Sequence, residues 1–326
     1  MATVRQDPVT GDYVIIATER AKRPKDFCKP KINKKKEEVK DCPFCPGGKA
    51  FSDLIPNAST KNVLVVKNKY PAFDLDPDII FQASGELYFS GHSTGAHEVI
   101  IYKDHYKDLQ DMESFEIEEI FRVYQKRILE HKNNPDISYS LVIHNHGPES
   151  GASIVHPHSQ IFAPAILPKN LFREIEGAKE YYIKNGSCVF CDIVRQEKKL
   201  GQRIIDENED YIAIAAYAPR FSGEVWILPK YHTTYFELIR DDARQNLAKI
   251  FSKIIKKFDL GFGDPAYNFY VHSGPFRNYD PDRYYHFHIE ILPRMSIWGG
   301  FELGAGMPID VLLPELVAEY FREIKI

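Results

Sequence analysis

Short apolar segments with β-branched and aromatic residues alternate along the chain with two long amphipathic segments. Residues 113–132 carry apolar side chains at three- and four-residue spacing, which predicts a helix with one buried face. Residues 241–258 repeat that spacing and predict a second helix. We predict a third helix from Pro314, because proline is favoured in the first turn of a helix.

The β-rich segments lie around these two helices in the same order in each half of the chain. The first half contains VLVVK, ELYFS, HEVIIY, YSLVIH and SQIFA, and the second contains YIAIAAY, GEVWIL, YNFYVH and HFHIEIL. Most connections have hairpin length, which favours antiparallel pairing over a parallel sheet. We therefore predict an α+β fold of two tandem halves, each an antiparallel sheet packed with helices. The halves are residues 1–180 and 181–326, with the join near residues 175–187.

The composition of the 326 residues is that of a soluble globular protein, with 44% hydrophobic and 27% charged residues. A net charge of −4 gives no reason to expect nucleic acid or an anionic membrane as a partner, so any basic site must be local. No apolar run approaches the length of about 18 residues that a membrane span requires. We expect a cytoplasmic protein.

Candidate metal ligands occur twice in the same order: a Cys-x-x-Cys pair, a single histidine, and then a His-x-His strand. The first set is Cys42, Cys45, His105 and His156, and the second is Cys188, Cys191, His232 and His286. Thiolates and imidazoles suit zinc, and a structural zinc site takes four such ligands. We expect two zinc ions per chain, with iron as an alternative at the second site. Four protein ligands leave no open position, so these metals should fasten loops rather than activate water.

Other interpretations of these residues stay open at this point. A single Cys-x-x-Cys pair also occurs by chance, as a redox couple or as a disulfide. His97 competes with His105 as a ligand of the first metal, and His272 is a rival ligand in the second half. Cys28 is left over and is interpreted as a free thiol.

The HPHSQ segment holds the candidate chemistry. Strand alternation places His156, His158 and Gln160 on one face, so a metal bound by His156 would leave His158 beside a rigid site and available for reaction. A neutral imidazole can attack phosphorus, and the product is a good leaving group. Upstream, NHGPESGAS includes Gly151 and Ser153, small residues that let backbone amides approach an anion. The alternative is an edge strand whose histidines are only structural.

Several motifs in order resemble the galactose-1-phosphate uridylyltransferase branch of the histidine-triad superfamily. They are RQDPVTGDYVIIATERAKRP, CPFCPG, VVKNKYPAF, NHGPESGAS with HPHSQ, HFHIEILP and GGFELGAG, which together span nearly the whole chain. The resemblance implies two histidine-triad-like halves, of which the N-terminal one is catalytic. It also implies a homodimer that acts on a UDP-sugar and a sugar 1-phosphate.

The resemblance further implies a two-step nucleotidyl transfer. His158 would attack the α-phosphorus of UDP-glucose and carry the uridylyl group until galactose 1-phosphate removes it. Gln160 and Ser153 would hold the phosphate oxygens. The substrate contacts carried over from the family are Arg20, Arg23, Asn68, Asn145 and Gly151. Without the family, Arg20 and Arg23 would be interpreted as a solvated basic turn.

Three features depart from the commonest pattern of that family. Ser159 occupies a place where many members have glycine. Cys188 and Cys191 resemble the ADP-glucose phosphorylase branch instead, and this pattern favours His232 over His272 as the second-site ligand. The tail GGFELGAGMPIDVLLPE also resembles that branch and lacks the glutamine that some uridylyltransferases place there for the hexose phosphate, which leaves the acceptor open. Separately, Glu290 is the second-half counterpart of Gln160, and a carboxylate there would repel phosphate, so only the first half should be catalytic. The alternatives are therefore an ADP-glucose phosphorylase, another nucleotidyltransferase or hydrolase, and a zinc-stapled binding module without activity.

Overall fold

The computed structural model describes residues 2–17, 24–27, 42–74 and 82–326. Fourteen strands and six α-helices lie in these ranges. The strands are β1 Thr3–Gln6, β2 Tyr13–Ile16, β3 Val63–Lys67, β4 Gln82–Ser84, β5 Tyr88–Ser90, β6 Gly95–Tyr102, β7 Leu141–His146, β8 His158–Pro164, β9 Ile204–Glu207, β10 Tyr211–Ala215, β11 Val225–Pro229, β12 Tyr267–His272, β13 His288–Pro293 and β14 Ile309–Asp310. The helices are α1 Ser114–Lys132, α2 Lys169–Asn185, α3 Val189–Leu200, α4 Asp241–Phe262, α5 Gly300–Ala305 and α6 Pro314–Glu323.

One nine-stranded sheet, in the order β3-β6-β8-β7-β12-β13-β11-β10-β9, forms the centre of the molecule. Every neighbouring pair in it is antiparallel. The two halves meet where β7 pairs with β12, and the strand order on one side of this seam mirrors the order on the other. The α+β class is confirmed. The sequence predicted a separate sheet in each half, whereas the strands of both halves form one continuous sheet.

Helices α1 and α4 cover one face of this sheet, as their amphipathic patterns predict. Ile117, Phe121 and Ile128 of α1 are buried with Leu247 and Phe251 of α4. Helix α4 ends four residues later than predicted, at Phe262, where Gly263 adopts a φ of +75°. Helix α6 begins at Pro314 as predicted and packs on the same core.

The other face of the sheet is covered differently in the two halves, and this difference creates the candidate site. In the second half, α2 and α3 bury Ile175, Ala178 and Phe190 against Ile212 and Ile214. Neither helix was predicted, and α2 runs through the predicted join, so no unstructured linker separates the halves. In the first half, this face carries a smaller cluster around Phe44, Val99 and Ile101. The segment that contains Cys42 and Cys45 covers it and leaves a cavity beside β8.

Among the helices of the described ranges, none combines the length and the apolar composition that crossing a bilayer requires.

A buried ion pair connects the sheet to α1. Glu98 of β6 accepts hydrogen bonds from Nε and Nη2 of Arg127 at 2.7 Å each and from Nε2 of His131 at 3.0 Å. Burial alone would raise the pKa of Glu98, but the hydrogen bonds and charges of His131 and Arg127 outweigh it and lower the pKa to about 2. The carboxylate is therefore ionised at neutral pH.

We predict that Glu98→Gln lowers the free energy of unfolding by about 3 kcal/mol, because it leaves the Arg127 charge buried without its partner. Folding lowers the pKa of Glu98 from the ordinary 4.5 to about 2, so its stabilisation is present above pH 4.5 and is lost as the pH falls towards 2. Urea unfolding at several pH values should show that the free energies of unfolding of Glu98→Gln and wild type approach each other as the pH falls over this range. Glu319→Gln, at an exposed position of α6, is the control. A difference that is constant with pH would contradict this role of Glu98.

Candidate active site

A cavity of about 360 Å³ lies on the open face of the first half. Its lining contains four of the residues that the sequence singled out: Asn68, Ser153, His158 and Gln160. Lys49, Lys67 and Lys69 also line it, against the single carboxylate of Asp53. The local excess of positive charge suits a phosphate, although the chain as a whole is negative.

His158 lies at the start of β8 and is 8% exposed. Its Nδ1 donates a hydrogen bond of 2.8 Å to the backbone carbonyl of His156. This bond fixes the tautomer, so the lone pair is on Nε2. Burial lowers the pKa of His158, which favours the neutral imidazole. The edge of the ring contacts Phe44, with the centroids 5.1 Å apart.

Gln160 is two residues further along β8 and faces the same cavity. Its Oε1 lies 2.8 Å from Nε2 of His97 and 3.5 Å from Nδ2 of Asn68. Asn68 accepts the backbone N–H of Tyr70 at 2.9 Å, which closes a turn at the cavity wall. These contacts join Asn68, His97 and Gln160 into one network. The sequence indicated His97 only as a rival metal ligand.

Ser159 points to the opposite side of β8 and is fully buried. Its Oγ lies 2.5 Å from the hydroxyl of Tyr102, 2.6 Å from that of Tyr124 and 3.3 Å from Nδ1 of His144. A glycine at this position would lack all three contacts. Ser159 therefore connects β8 to α1 on the side away from the cavity, which its place in the motif did not indicate.

The first predicted metal set is brought together beside this cavity. Cys42, Cys45, His105 and His156 each offer a ligand atom, and these atoms lie within 4.8 Å of one another. The Sγ of Cys45 is 3.3 Å from Nδ1 of His105 and 3.5 Å from Nδ1 of His156, and the two Nδ1 atoms are 3.0 Å apart. Nε2 of His156 donates to the carbonyl of Tyr102 at 2.7 Å.

The second predicted set is brought together in the other half. Cys188, Cys191, His232 and His286 again lie within 4.8 Å of one another. The Sγ of Cys191 is 3.4 Å from Nδ1 of His232 and 3.7 Å from Nδ1 of His286. Nε2 of His232 donates to the carbonyl of Asp282 at 2.7 Å. The pair Cys188 and Cys191 stands at the beginning of α3.

Both sets fit a tetrahedral metal. Zinc with sulfur at about 2.3 Å and nitrogen at about 2.0–2.1 Å places sulfur and nitrogen about 3.5 Å apart. In His156 and His232, the outer nitrogen donates to a carbonyl, so the inner nitrogen presents its lone pair to the other ligands. Burial lowers the pKa of His156 to about 4, which keeps its imidazole neutral and able to bind a metal.

A third group of potential ligands, which the sequence did not predict as a set, lies at strands β12 and β13 of the second half, where α2 packs against them. Glu174, His272, His288 and Glu290 also have ligand atoms within 4.8 Å of one another. His272 Nδ1 is 2.9 Å from Glu174, and Arg220 donates to Glu290 at 2.5 Å. Much of this carboxylate charge is therefore balanced by protein groups. Glu174 escaped sequence analysis because α2 was not predicted.

These residues make the second half unlike the first. His288 corresponds to His158 but is 0% exposed, and its Nε2 lies 3.6 Å from Glu174 and 3.7 Å from Glu290. A cavity of about 250 Å³ on this face is lined by four carboxylates and two arginines: Asp7, Asp12, Glu174, Glu290, Arg173 and Arg220. Carboxylates outnumber cations there, whereas lysines outnumber the carboxylate at the His158 cavity.

The remaining predicted residues lie around or beyond the cavity. Asn145 follows His144, the register partner of Ser159, and its Oδ1 accepts a hydrogen bond of 2.7 Å from Asn268. Gly151 is exposed and has a φ of +88°, in the turn before β8. Neither is among the lining residues of the cavity. Arg20 and Arg23 lie outside the described residues.

A larger groove of about 760 Å³ lies beside α3, with Asp192, Arg195 and Gln196 in its lining. Histidine and cysteine are absent from the described residues that line it. The smaller cavity at His158 is the candidate active site, because an imidazole, polar side chains and lysines converge there.

Comparison with known proteins identifies the family of the chain. The model of the galactose-1-phosphate uridyl transferase N-terminal domain matches residues 1–168, and the model of the C-terminal domain matches residues 174–307. An ADP-glucose phosphorylase from Arabidopsis thaliana is 31% identical over 99% of this chain and 93% of its own length. A galactose-1-phosphate uridylyltransferase from Thermotoga maritima is 26% identical over 100% of this chain and 99% of its own.

Solved structures show the same likeness. The Arabidopsis thaliana ADP-glucose phosphorylase with bound ADP-glucose superposes with a TM-score of 0.84 at 29% identity, over 100% of both chains. A uridylyltransferase structure superposes with a TM-score of 0.78 at 26% identity, over 99% of this chain and 98% of its own. The chain therefore belongs to the galactose-1-phosphate uridylyltransferase family.

Proposed function

We propose that this enzyme transfers the uridylyl group of UDP-glucose to galactose 1-phosphate through a covalent intermediate on His158. Nε2 of His158 forms a bond to the α-phosphorus while the bond from that phosphorus to the bridging oxygen breaks, which releases glucose 1-phosphate. An oxygen of galactose 1-phosphate then attacks the same phosphorus. The products are UDP-galactose and the free imidazole.

The observation that carries this proposal is the hydrogen bond between Nδ1 of His158 and the carbonyl of His156. It leaves Nε2 unprotonated in a cavity that three lysines line. It also faces the carbonyl dipole towards the positive charge that develops on the ring when phosphorus is bound. Gln160 and Ser153 lie in the same lining and would donate to the phosphate oxygens.

The two Cys and His groups are proposed as structural zinc sites, with iron as the alternative in the second. His156 and the Cys42 pair would anchor the start of β8, and the second site would fasten α3 to the segment before β13. Zinc when bound holds four ligands and supplies no open position for chemistry. The homodimer, the cytoplasmic location and the domain boundary at residue 180 stay predictions.

A second candidate is ADP-glucose phosphorylase, in which inorganic phosphate replaces the sugar phosphate as acceptor. It is favoured by the relative of 31% identity and by the superposition with a structure that holds ADP-glucose. Both candidates use the same nucleophile and differ in the base and in the acceptor.

We predict a labelled protein when the enzyme is incubated with UDP-glucose carrying ³²P at the α position and no acceptor. The label should be acid-labile, because the bond joins phosphorus to nitrogen, and galactose 1-phosphate should discharge it into UDP-galactose. The same test with α-labelled ADP-glucose and phosphate decides between the two candidates. Release of the label as free nucleotide without acceptor would identify a hydrolase instead. Absence of labelled protein with both UDP-glucose and ADP-glucose would contradict the proposal.

We predict that His158→Gly abolishes the labelling, whereas the unfolding transition and the metal content stay close to wild type.

Gln160→Glu should slow both half-reactions at least about 100-fold, since it replaces a donor by a negative charge beside the phosphate. Stopped-flow or quench measurements of each half-reaction provide the test. Gln196→Glu, at an exposed position of α3, is the matched control. Normal rates in Gln160→Glu would remove its proposed role.

We predict about two zinc ions per chain by elemental analysis, from the two four-ligand groups. Cys42→Ser and Cys188→Ser should each lose about half of the metal, because each removes one ligand of a different site. Cys28→Ser is the control and should keep both ions. Full metal content in Cys188→Ser would mean that the CVFC segment is only a turn.

A further inference from the structure

We propose that His97 is a positioning residue that fixes the orientation of the Gln160 carboxamide, so that its N–H₂ group faces the phosphate. This inference rests on the proposed function, in which Gln160 donates to the phosphate oxygens. A glutamine side chain can rotate by half a turn and present its oxygen instead, which would repel a phosphate. The orientation therefore decides whether Gln160 assists the reaction or opposes it.

The backbone N–H of Ala72 determines the protonation of the His97 ring. It lies 3.1 Å from Nδ1 of His97 and can only donate, so Nδ1 must be the acceptor. In a neutral imidazole, the proton is then on Nε2. Burial lowers the pKa of His97, which favours this neutral form.

The proton on Nε2 determines the orientation of Gln160. The nearest acceptor is Oε1 of Gln160, at 2.8 Å. Once Oε1 accepts this proton, Gln160 must direct its Nε2 and both hydrogens elsewhere. Nδ2 of Asn68 is 3.0 Å from the same ring nitrogen and 3.5 Å from Oε1. A protonated Nε2 of His97 cannot accept from Asn68, so of these two atoms only Oε1 of Gln160 can accept from the Asn68 N–H₂ group, over the longer distance of 3.5 Å.

The His97 ring is held rigidly enough for this task. It stacks on Phe162 with the ring centroids 4.0 Å apart and an interplanar angle of 30°. His97 is also the register partner of Phe162 across β6 and β8. Only 8% of His97 is exposed, so solvent competes little for its hydrogen bonds.

The second half provides an internal comparison. Gln160 pairs with Val99 across the strands, and Glu290 pairs with Trp226. Two residues before these partners stand His97 in the first half and Glu224 in the second. Arg220 donates to both Glu224 and Glu290, at 2.8 and 2.5 Å. In the first half, His97 hydrogen-bonds directly to Gln160 and orients its amide. In the second half, Arg220 bridges Glu224 and Glu290 and neutralises their charge.

A double-mutant cycle tests the coupling. His97→Leu removes the donor, and we expect the first half-reaction to slow at least about tenfold, with little change in KM, because the loss concerns the transition state. In a Gln160→Ala background the same substitution should have no further effect. His97→Gln keeps an N–H donor and should recover most of the rate. Equal effects of His97→Leu in both backgrounds would overturn the proposal.

A measurement without substrate separates this inference from the proposed function. In protein labelled with ¹⁵N in histidine and glutamine, we expect the Nε2–H tautomer for His97. We also expect the side-chain N–H₂ signals of Gln160 to shift or broaden in His97→Leu. An Nδ1–H tautomer, or unchanged Gln160 signals, would overturn the role of His97 even in an active enzyme. If His97 shows the Nε2–H tautomer but no labelled intermediate forms, the proposed function is contradicted and the role of His97 is not.

Discussion

A single peptide carbonyl connects the two parts of the candidate site. The carbonyl of His156 accepts the Nδ1 proton of His158, while the ring of His156 belongs to the first Cys and His group. The backbone of His156 therefore links the position of that group to the orientation of the His158 ring. From behind the strand, Ser159 fastens the same segment to Tyr102 and Tyr124. The position of the His158 ring thus depends on residues that do not line the cavity.

The duplicated fold has been used for two different purposes. In the first half, the face of the sheet opposite α1 is covered by a loop and stays accessible beside β8. In the second half, α2 and α3 close that face, and Glu174, Glu290 and Arg220 fill the space with paired charges. The cavity of the first half is lined mainly by cations among its charged residues, and that of the second half mainly by carboxylates paired with Arg220 and His272. The same strand order thus frames two chemically different environments.

Sequence reasoning found what depends on spacing and missed what depends on contacts across the sheet. The three- and four-residue spacing of apolar side chains in residues 113–132 predicted α1. The repeated order of cysteines and histidines predicted every member of both four-ligand groups. Helix α2 was missed, and with it Glu174, because its pattern was not separated from the join of the halves. The role of His97 was hidden as well. It requires the register of β6 on β8 and the position of the Ala72 N–H, and neither can be read from a local motif.

The seam between β7 and β12 makes the second half indispensable to the first. Without Tyr267–His272, the strand Leu141–His146 would end the sheet with a row of unpaired backbone donors and acceptors. Such an exposed border recruits other chains and promotes aggregation. The second half therefore shields the border of the half that holds the candidate active site, whatever chemistry it carries itself.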